Sequence, residues 1–299
     1  MRFAIVAHRA GETNVALVTR VWERFEPLLL EPAEALATLG PGDAALGRLD
    51  VRESLEGIED GLTALAELAA RGVTVLNPPA ALISAHDKLV TARALRRAGL
   101  PHPETRSLSA WECAELPDLP VVVKPRFGSW GKDVLACSTR ADFERALERL
   151  SRKPWFRSHG ALAQELIPPL GHDLRVLVAG GEAVGAVRRV AAPGEWRTNV
   201  ALGATKMPAE PSPVARELAV AAAAAIGADL VGVDLLPLGP GRYVVLELNG
   251  AADFSTEYSQ AENVFDAAAA ALERRLDQNV AERRPEAMIA RIAPATASL

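Results

Sequence analysis

The sequence predicts an α/β protein, and three observations carry that class. Apolar, strand-length runs alternate with helically spaced segments through the first 83 residues, the pattern of a small parallel sheet. Further on, apolar runs pair across turns bearing Gly and Pro, which adds antiparallel hairpins to the mixture. Residues 230–249 then form two apolar runs that nevertheless carry Asp234, Glu247 and Asn249. A carboxylate in a buried strand is costly unless something pairs with it.

Taken in order, residues 3–8 (Phe-Ala-Ile-Val-Ala-His) read as a first strand. Asn14 is the expected N-cap of a helix running to about Phe25. Short apolar runs follow at 28–30 and 43–49, and residues 57–71 place Ile58, Leu62, Leu65 and Leu68 on one helical stripe. Residues 73–76 read as a strand ended by Asn77-Pro78-Pro79. No GxGxxG follows the first strand, which disfavours a nicotinamide dinucleotide enzyme.

Residues 84–98 are expected to form one helix carrying Asp87 and Lys88, stopped by Leu100-Pro-His-Pro. A buried strand, Val121-Val-Val-Lys-Pro125, ends in Lys124, and Phe127-Gly-Ser-Trp-Gly131 joins it to a second strand at 134–137. Such a tip can lay backbone N–H groups over phosphates, or it can be an ordinary turn. An amphipathic helix at 141–150 precedes a strand at 161–167, which stops at Pro168-Pro169. Ala179-Gly-Gly-Glu182 is a hairpin turn between two charged strands, 173–178 and 183–189. Their alternating Asp173, Arg175 and Arg188/Arg189 mark either a solvent face or a binding face. Helices are expected at 211–226 and 260–276, and an Arg-, Pro- and Ala-rich tail from about residue 283 is expected to be loosely attached or disordered.

Composition excludes several classes. A net charge of −5 argues against a broad nucleic-acid surface. No apolar run is long enough to span a bilayer, and the first strand is too short for a signal sequence. Cys113 and Cys137 lie far apart with no CxxC, which fits reduced thiols in a cytoplasmic protein. The five His residues are scattered and suggest no zinc site. Arg dominates, and the lysines are confined to Lys88, Lys124, Lys132, Lys153 and Lys206.

On the strand pair itself, Glu247 and Asn249 are two apart and so share a face, with Asp234 able to oppose them across the hairpin. Three hard oxygen donors without His or Cys suit Mg²⁺ or Mn²⁺. Strand-end capping or pairing with arginines would account for the same residues.

The order of these pieces is more specific than any one of them. His86-Asp-Lys-Leu89, Val123-Lys-Pro-Arg-Phe-Gly-Ser-Trp-Gly131, Gln164-Glu-Leu-Ile167, Asp173-Leu-Arg175, Trp196-Arg-Thr-Asn199, Gly232-Val-Asp-Leu-Leu236 and Glu247-Leu-Asn-Gly250 follow one another. The chain from about residue 84 to 276 resembles the ATP-grasp superfamily, within it the group of the ribosomal S6 glutamate ligase and the LysX-type ligases. The resemblance implies an α+β ATP-grasp fold in which two subdomains, 84–160 and 161–282, clasp ATP. An N-terminal α/β domain at 1–83 precedes them and a tail at 283–299 follows.

The resemblance also implies roles. Lys124 would reach the α- and β-phosphates, and Lys88 would approach from the preceding helix. Ser129, Trp130 and Gly131 would cover the triphosphate. Glu165 and Leu166 would offer backbone hydrogen bonds to the adenine edge, and Asp173 would serve the ribose region. Arg197 and Asn199 would lie at the phosphates. Asp234, Glu247 and Asn249 would hold Mg²⁺ (or Mn²⁺), and Arg175 and Arg188 would stabilise the γ-phosphoryl group and an acyl-phosphate. The implied reaction is carboxylate–amine ligation between a glutamate-like amino acid and an amine-bearing acceptor, whether small molecule, peptide or carrier protein, with homo-oligomers expected. A catalytically silent ATP-binding or regulatory protein on the same fold is the alternative. Residues 250–258, Gly-Ala-Ala-Asp-Phe-Ser-Thr-Glu-Tyr, depart from the small-residue Pro-Gly turn of the glutamate ligases. There Asp253, Ser255 and Glu257 read either as an acceptor-binding group or as solvated loop residues.

Overall fold

The structure is a computed structural model that describes residues 1–20, 25–108 and 118–282. The tail from residue 283 and Cys113 lie outside the described residues. Three sheets organise the chain.

The first contains β1 (Arg2–Val6), β2 (Glu26–Leu30), β3 (Ala44–Gly47) and β4 (Thr74–Leu76), all parallel in the order β2-β1-β3-β4. Helices α1 (Glu12–Thr19), α2 (Pro32–Thr38) and α3 (Leu62–Ala70) make the crossovers. As expected for a strand covered on both faces, β1 is apolar and buried from Phe3 to Val6. Two helix starts differ from expectation. Helix α1 begins at Glu12 and ends at Thr19, so Asn14 lies within it rather than capping it. The Asn14 side chain instead accepts from Arg48 Nε at 2.5 Å and donates to the Arg9 carbonyl. Helix α3 begins only at Leu62, because residues 51–59 fold back on themselves through a Val51–Ile58 bridge and a bond from Glu59 N–H to the Asp50 carbonyl.

The expected helix over 84–98 is two helices, α4 (Pro79–His86) and α5 (Lys88–Arg97). Asp87 breaks it by capping α5, accepting from the backbone N–H groups of Leu89 and Val90. The second sheet follows, antiparallel in the order β5-β8-β6-β7, from β5 (Thr105–Leu108), β6 (Val121–Pro125), β7 (Leu135–Cys137) and β8 (Ala161–Glu165). Helices α6 (Arg140–Leu150) and α7 (Pro154–His159) lie between β7 and β8. Because β8 pairs with β5 and β6, residues 161–165 sit with this sheet, on the far side of the boundary expected at 160/161.

The third sheet is antiparallel in the order β11-β10-β9-β12-β13. Its strands are β9 (His172–Ala179), β10 (Glu182–Val190), β11 (Thr205–Pro208), β12 (Leu230–Gly239) and β13 (Arg242–Asn249). Helix α8 (Pro213–Ile226) presses Ala215, Ala219, Ala222 and Ala223 onto one part of the sheet. Helix α9 (Val264–Glu282) is shifted beyond the expected 260–276 and fills the space between this sheet and the first one. Phe3, Ile5 and Leu46 of the first sheet share a buried cluster with Leu177, Leu230, Phe265 and Leu272. The β9–β10 turn tolerates that helix only as glycine. Gly180 has φ +56° and backs onto the Ala271 carbonyl, where any side chain would collide. Among the described residues no helix is long and apolar enough to cross a membrane.

Candidate active site

The second and third sheets face each other across a cleft, and Lys124 at the end of β6 forms part of its floor. The residue is 5% exposed, and its Nζ donates to Gln164 Oε1 at 2.7 Å, a neutral partner rather than a carboxylate. Gln164 is itself fixed by a bond to Thr105 Oγ1. Burial drives Lys124 down to about 8, with Glu247 opposing the shift. A desolvated ammonium without a carboxylate bound to it is ready to receive an anion.

The β6–β7 hairpin supplies the roof. Its base is tied to the α4–α5 junction by an Asp87–Phe127 bridge, a bond from Lys88 N–H to the Arg126 carbonyl, and a two-pronged Arg126–Asp87 ion pair at 2.6–2.7 Å. Lys88 Nζ then donates to the Gly128 carbonyl at 2.7 Å. At the tip Trp130 and Gly131 are both left-handed, at φ 59° and 70°. For a tryptophan that conformation stores strain of the kind that clusters at functional sites. Arg197, clamped by Glu195, donates to the Gly131 carbonyl at 3.1 Å. Asn199 Oδ1 stands 2.8 Å from where a Cβ on Gly131 would lie. Thus Ser129, Trp130, Gly131, Arg197 and Asn199 come together on the cleft.

Glu165 and Leu166 line the same cleft, beside Val122, Ile167, Leu236 and Leu246. Their N–H groups are already committed, Glu165 to the Glu104 carbonyl and Leu166 to the Pro120 carbonyl. Backbone hydrogen bonds expected from this pair to a base edge would therefore not come from these two N–H groups. The apolar walls suit a planar ring.

A charged seam closes the cleft on the third sheet. Asp173 is fully buried, held by Arg189 and Thr198 Oγ1, so its carboxylate fixes the strands rather than facing open solvent. Asp234 is 1% exposed and takes Arg175 Nε and Nη2 at 2.6 and 2.7 Å, and Arg189 Nη2 at 2.7 Å. Burial alone would raise the Asp234 carboxyl, but the two guanidiniums outweigh it and hold it far below the usual range. Arg188 is exposed on the opposite face of β10, and Arg189 occupies the place expected for it. A β-bulge between Ala183 and Gly185 shifts the β9–β10 register by one, which brings Arg189, not Arg188, opposite Asp173. The turn sequence alone would pair residue 188 with 173.

Glu247 lies opposite Asp234 in the β12–β13 register, and Lys88 Nζ is 3.2 Å from its Oε2. Burial would raise Glu247, yet Lys88 brings it below the ordinary value. Asn249 follows on the same face, with Oδ1 accepting from Ala251 N–H at 3.1 Å. Among the described residues no three His, Cys, Asp or Glu groups assemble into a metal cluster. The set here is two carboxylates and an amide, with Asp234 already engaged by arginines. These donors fit a hard divalent ion only if phosphate or water oxygens complete its shell, the usual condition for Mg²⁺.

A second cavity adjoins the first. It includes Asp50, His86, Lys206, Asn249, Asp253 and Tyr258, and shares Lys88, residues 128–130, Arg189, Asn199 and Glu247 with the cleft. Sequence reasoning missed Arg189 as the buried arginine and Asp50 altogether, and named His86 only within the motif at 86–89. A turn count corrected for the bulge would have found the first, whereas nothing local marks Asp50.

Two sheets gripping a cleft, with a lysine on the floor, a glycine-bearing hairpin as roof and paired carboxylates opposite, define an ATP-grasp protein. The architecture agrees with the RimK-domain ATP-grasp protein of Sphaerobacter thermophilus, with a TM-score of 0.65 at 23% identity over 90% of this chain and 98% of that one. The family model for the RimK-like ATP-grasp domain matches residues 85–273, and the chain belongs to that family of ATP-dependent ligases. It is 32% identical over 253 residues to the tetrahydromethanopterin:alpha-L-glutamate ligase of Methanosarcina acetivorans, covering 75% of this chain and 78% of the relative. It is also 32% identical over 221 residues to the glutamate–LysW ligase ArgX of Sulfurisphaera tokodaii, covering 72% and 78%.

Proposed function

We propose that this protein is a cytoplasmic, ATP- and Mg²⁺-dependent carboxylate–amine ligase that joins glutamate, or an amino acid like it, to an amine-bearing acceptor, whether small molecule, peptide or carrier protein. Mn²⁺ is an alternative ion for the same oxygen donors. The observation that carries the reading is the shared wall of the two cavities. Lys88, residues 128–130, Arg189, Asn199 and Glu247 border both, so a group activated in the cleft is presented to the second cavity without leaving the protein. The glutamate-ligase names of the relatives support the substrate class.

Chemically, a carboxylate oxygen attacks the γ-phosphorus and ADP leaves. The amine nitrogen then attacks the acyl carbon, inorganic phosphate departs, and the nitrogen loses a proton to leave an amide. Positioning and charge stabilisation suffice for both steps. Lys124 holds nucleotide phosphates, Arg175 and Arg189 face the charge that develops at the transferred group, and the flap excludes water from the acyl-phosphate. Glu247 and Asn249, with Asp234 behind them, would hold the metal, which neutralises phosphate charge when bound.

The test is ADP release from purified protein with ATP and Mg²⁺, over a matrix of acids and amines that includes L-glutamate. Release that requires both partners is expected. Nucleotide binding with no release under any pairing would point to the silent ATP-binding alternative.

A further inference from the structure

Tyr258 ends the loop that follows the metal-type residues. It is 2% exposed, yet it lines the second cavity. Its ring is held in place. Phe254 meets it edge-on at 6.2 Å and stacks in turn on Phe265 at 4.8 Å. Gly185 passes beneath it, where a Cβ would stand 3.2 Å from the Tyr258 Cβ. Phe254 is itself fixed by Thr13 Oγ1, which accepts its N–H and donates to its carbonyl, both at 3.0 Å. The Tyr258 hydroxyl is therefore not free to swing toward a partner elsewhere.

That hydroxyl makes no hydrogen bond among the described residues, and it opens on the cavity rather than into the core. A phenol this deep keeps little contact with water, and a donor left unpaired there is costly to the fold unless a ligand supplies the acceptor. Arg175 supplies a second free donor. It lines the same cavity and spends Nε and Nη2 on Asp234, while its Nη1 makes no hydrogen bond among the described residues. Burial raises the Tyr258 hydroxyl above its ordinary value, so it stays protonated, and of the charged groups around it Arg175 acts on it most strongly. Lys206, which lies opposite Arg189 in the β10–β11 register, lines the cavity on the same side and pairs with Glu257 of the loop at 2.5 Å. A fixed O–H and a free guanidinium N–H, side by side, match the two oxygens of a carboxylate and offer nothing to an ammonium.

We propose that Tyr258 Oη and Arg175 Nη1 together bind the carboxylate that is to be activated, which makes Tyr258 a substrate-binding residue of the second cavity. The inference rests on the ligase function proposed above, since that function brings a carboxylate to this place.

The test is calorimetric titration of L-glutamate, L-aspartate and L-alanine into protein saturated with Mg²⁺ and ADP, wild type against Tyr258→Phe. The variant keeps the ring and its packing and removes one oxygen. Its thermal midpoint should not fall, because the fold loses no hydrogen bond. The amino acid that the wild type binds most tightly should bind the variant about tenfold or more weakly, the scale of one hydrogen bond to a charged acceptor. ADP affinity, and the affinity for inorganic phosphate titrated in the same way, should be unchanged. A hydroxyl with a purely structural role would give the reverse, a lowered midpoint with unchanged affinities. That result, a wild type that binds none of the three amino acids, or a loss confined to inorganic phosphate would overturn the proposal. Failure of the ligase reading shows separately, as absent ADP release, while the ratio of affinities is still read.

Discussion

Lys88 Nζ lies 3.2 Å from Glu247 Oε2 and 2.7 Å from the Gly128 carbonyl, so one side chain at the start of α5 joins the roof of the cleft to its metal-type carboxylate. That ammonium also keeps the Glu247 carboxyl below its ordinary value against the pull of burial.

Glu247→Gln should abolish turnover, by about a hundredfold or more, since it removes the least committed carboxylate of the oxygen set. The change is isosteric and its Lys88 contact is partly solvated, so the thermal unfolding midpoint should stay within a few degrees. ADP release and a melting curve measure the two. Turnover at the wild-type rate would end the metal assignment for this residue.

Lys124 gives a pH dependence. Its value of about 8 lies below the ordinary 10.5, so it loses charge within an accessible range. Phosphate binds the charged form, and ATP affinity should fall as pH rises from 7 through 8 to 9.5, approaching tenfold per unit at the alkaline end. The stability effect has the opposite sign. Between about 8 and 10.5 the unfolded chain holds more protons than the folded one, so this group's contribution to stability rises with pH. In Lys124→Ala nucleotide binding should be weaker at pH 7 and nearly flat across that range, as titration calorimetry can show.

Arg189→Ala and Arg188→Ala test the register of β10. The first strands buried Asp173 and takes one of the two arginines from Asp234, which keeps Arg175, and should cost about 3–5 kcal/mol in denaturant unfolding. The second removes an exposed side chain and should stay within about 0.5 kcal/mol, with activity retained. Equal effects would contradict the bulged register.

Gly131→Ala should slow turnover about tenfold while leaving the fold in place. The position has φ 70°, and a methyl there would meet Asn199 Oδ1 and Leu202 Cδ1 at 2.8 Å. The strain falls on the flap, which few core residues depend on. Steady-state kinetics alongside near-ultraviolet dichroism separates the two consequences.

By itself the sequence determined the elements and their order. The hairpins at β6–β7, β9–β10 and β12–β13 were legible because glycine and proline punctuate apolar runs, and the parallel first sheet because its strands alternate with helices. Lys124 and Glu247 stood out as charges in apolar strands, and such charges need a reason. Tertiary structure alone decided which side chains meet. The register slip at Ala183/Gly185 chose Arg189 over Arg188, and Gly185 is where it must be because a side chain there would strike the Tyr258 carbonyl at 2.6 Å. Asp87 divided an apparently continuous helix because its partner Arg126 lies 39 residues away. Asp50 and Asp253 carry no shared local pattern. They converge because α9 packs the first sheet against the third, and such long-range packing leaves no periodicity for a sequence to display.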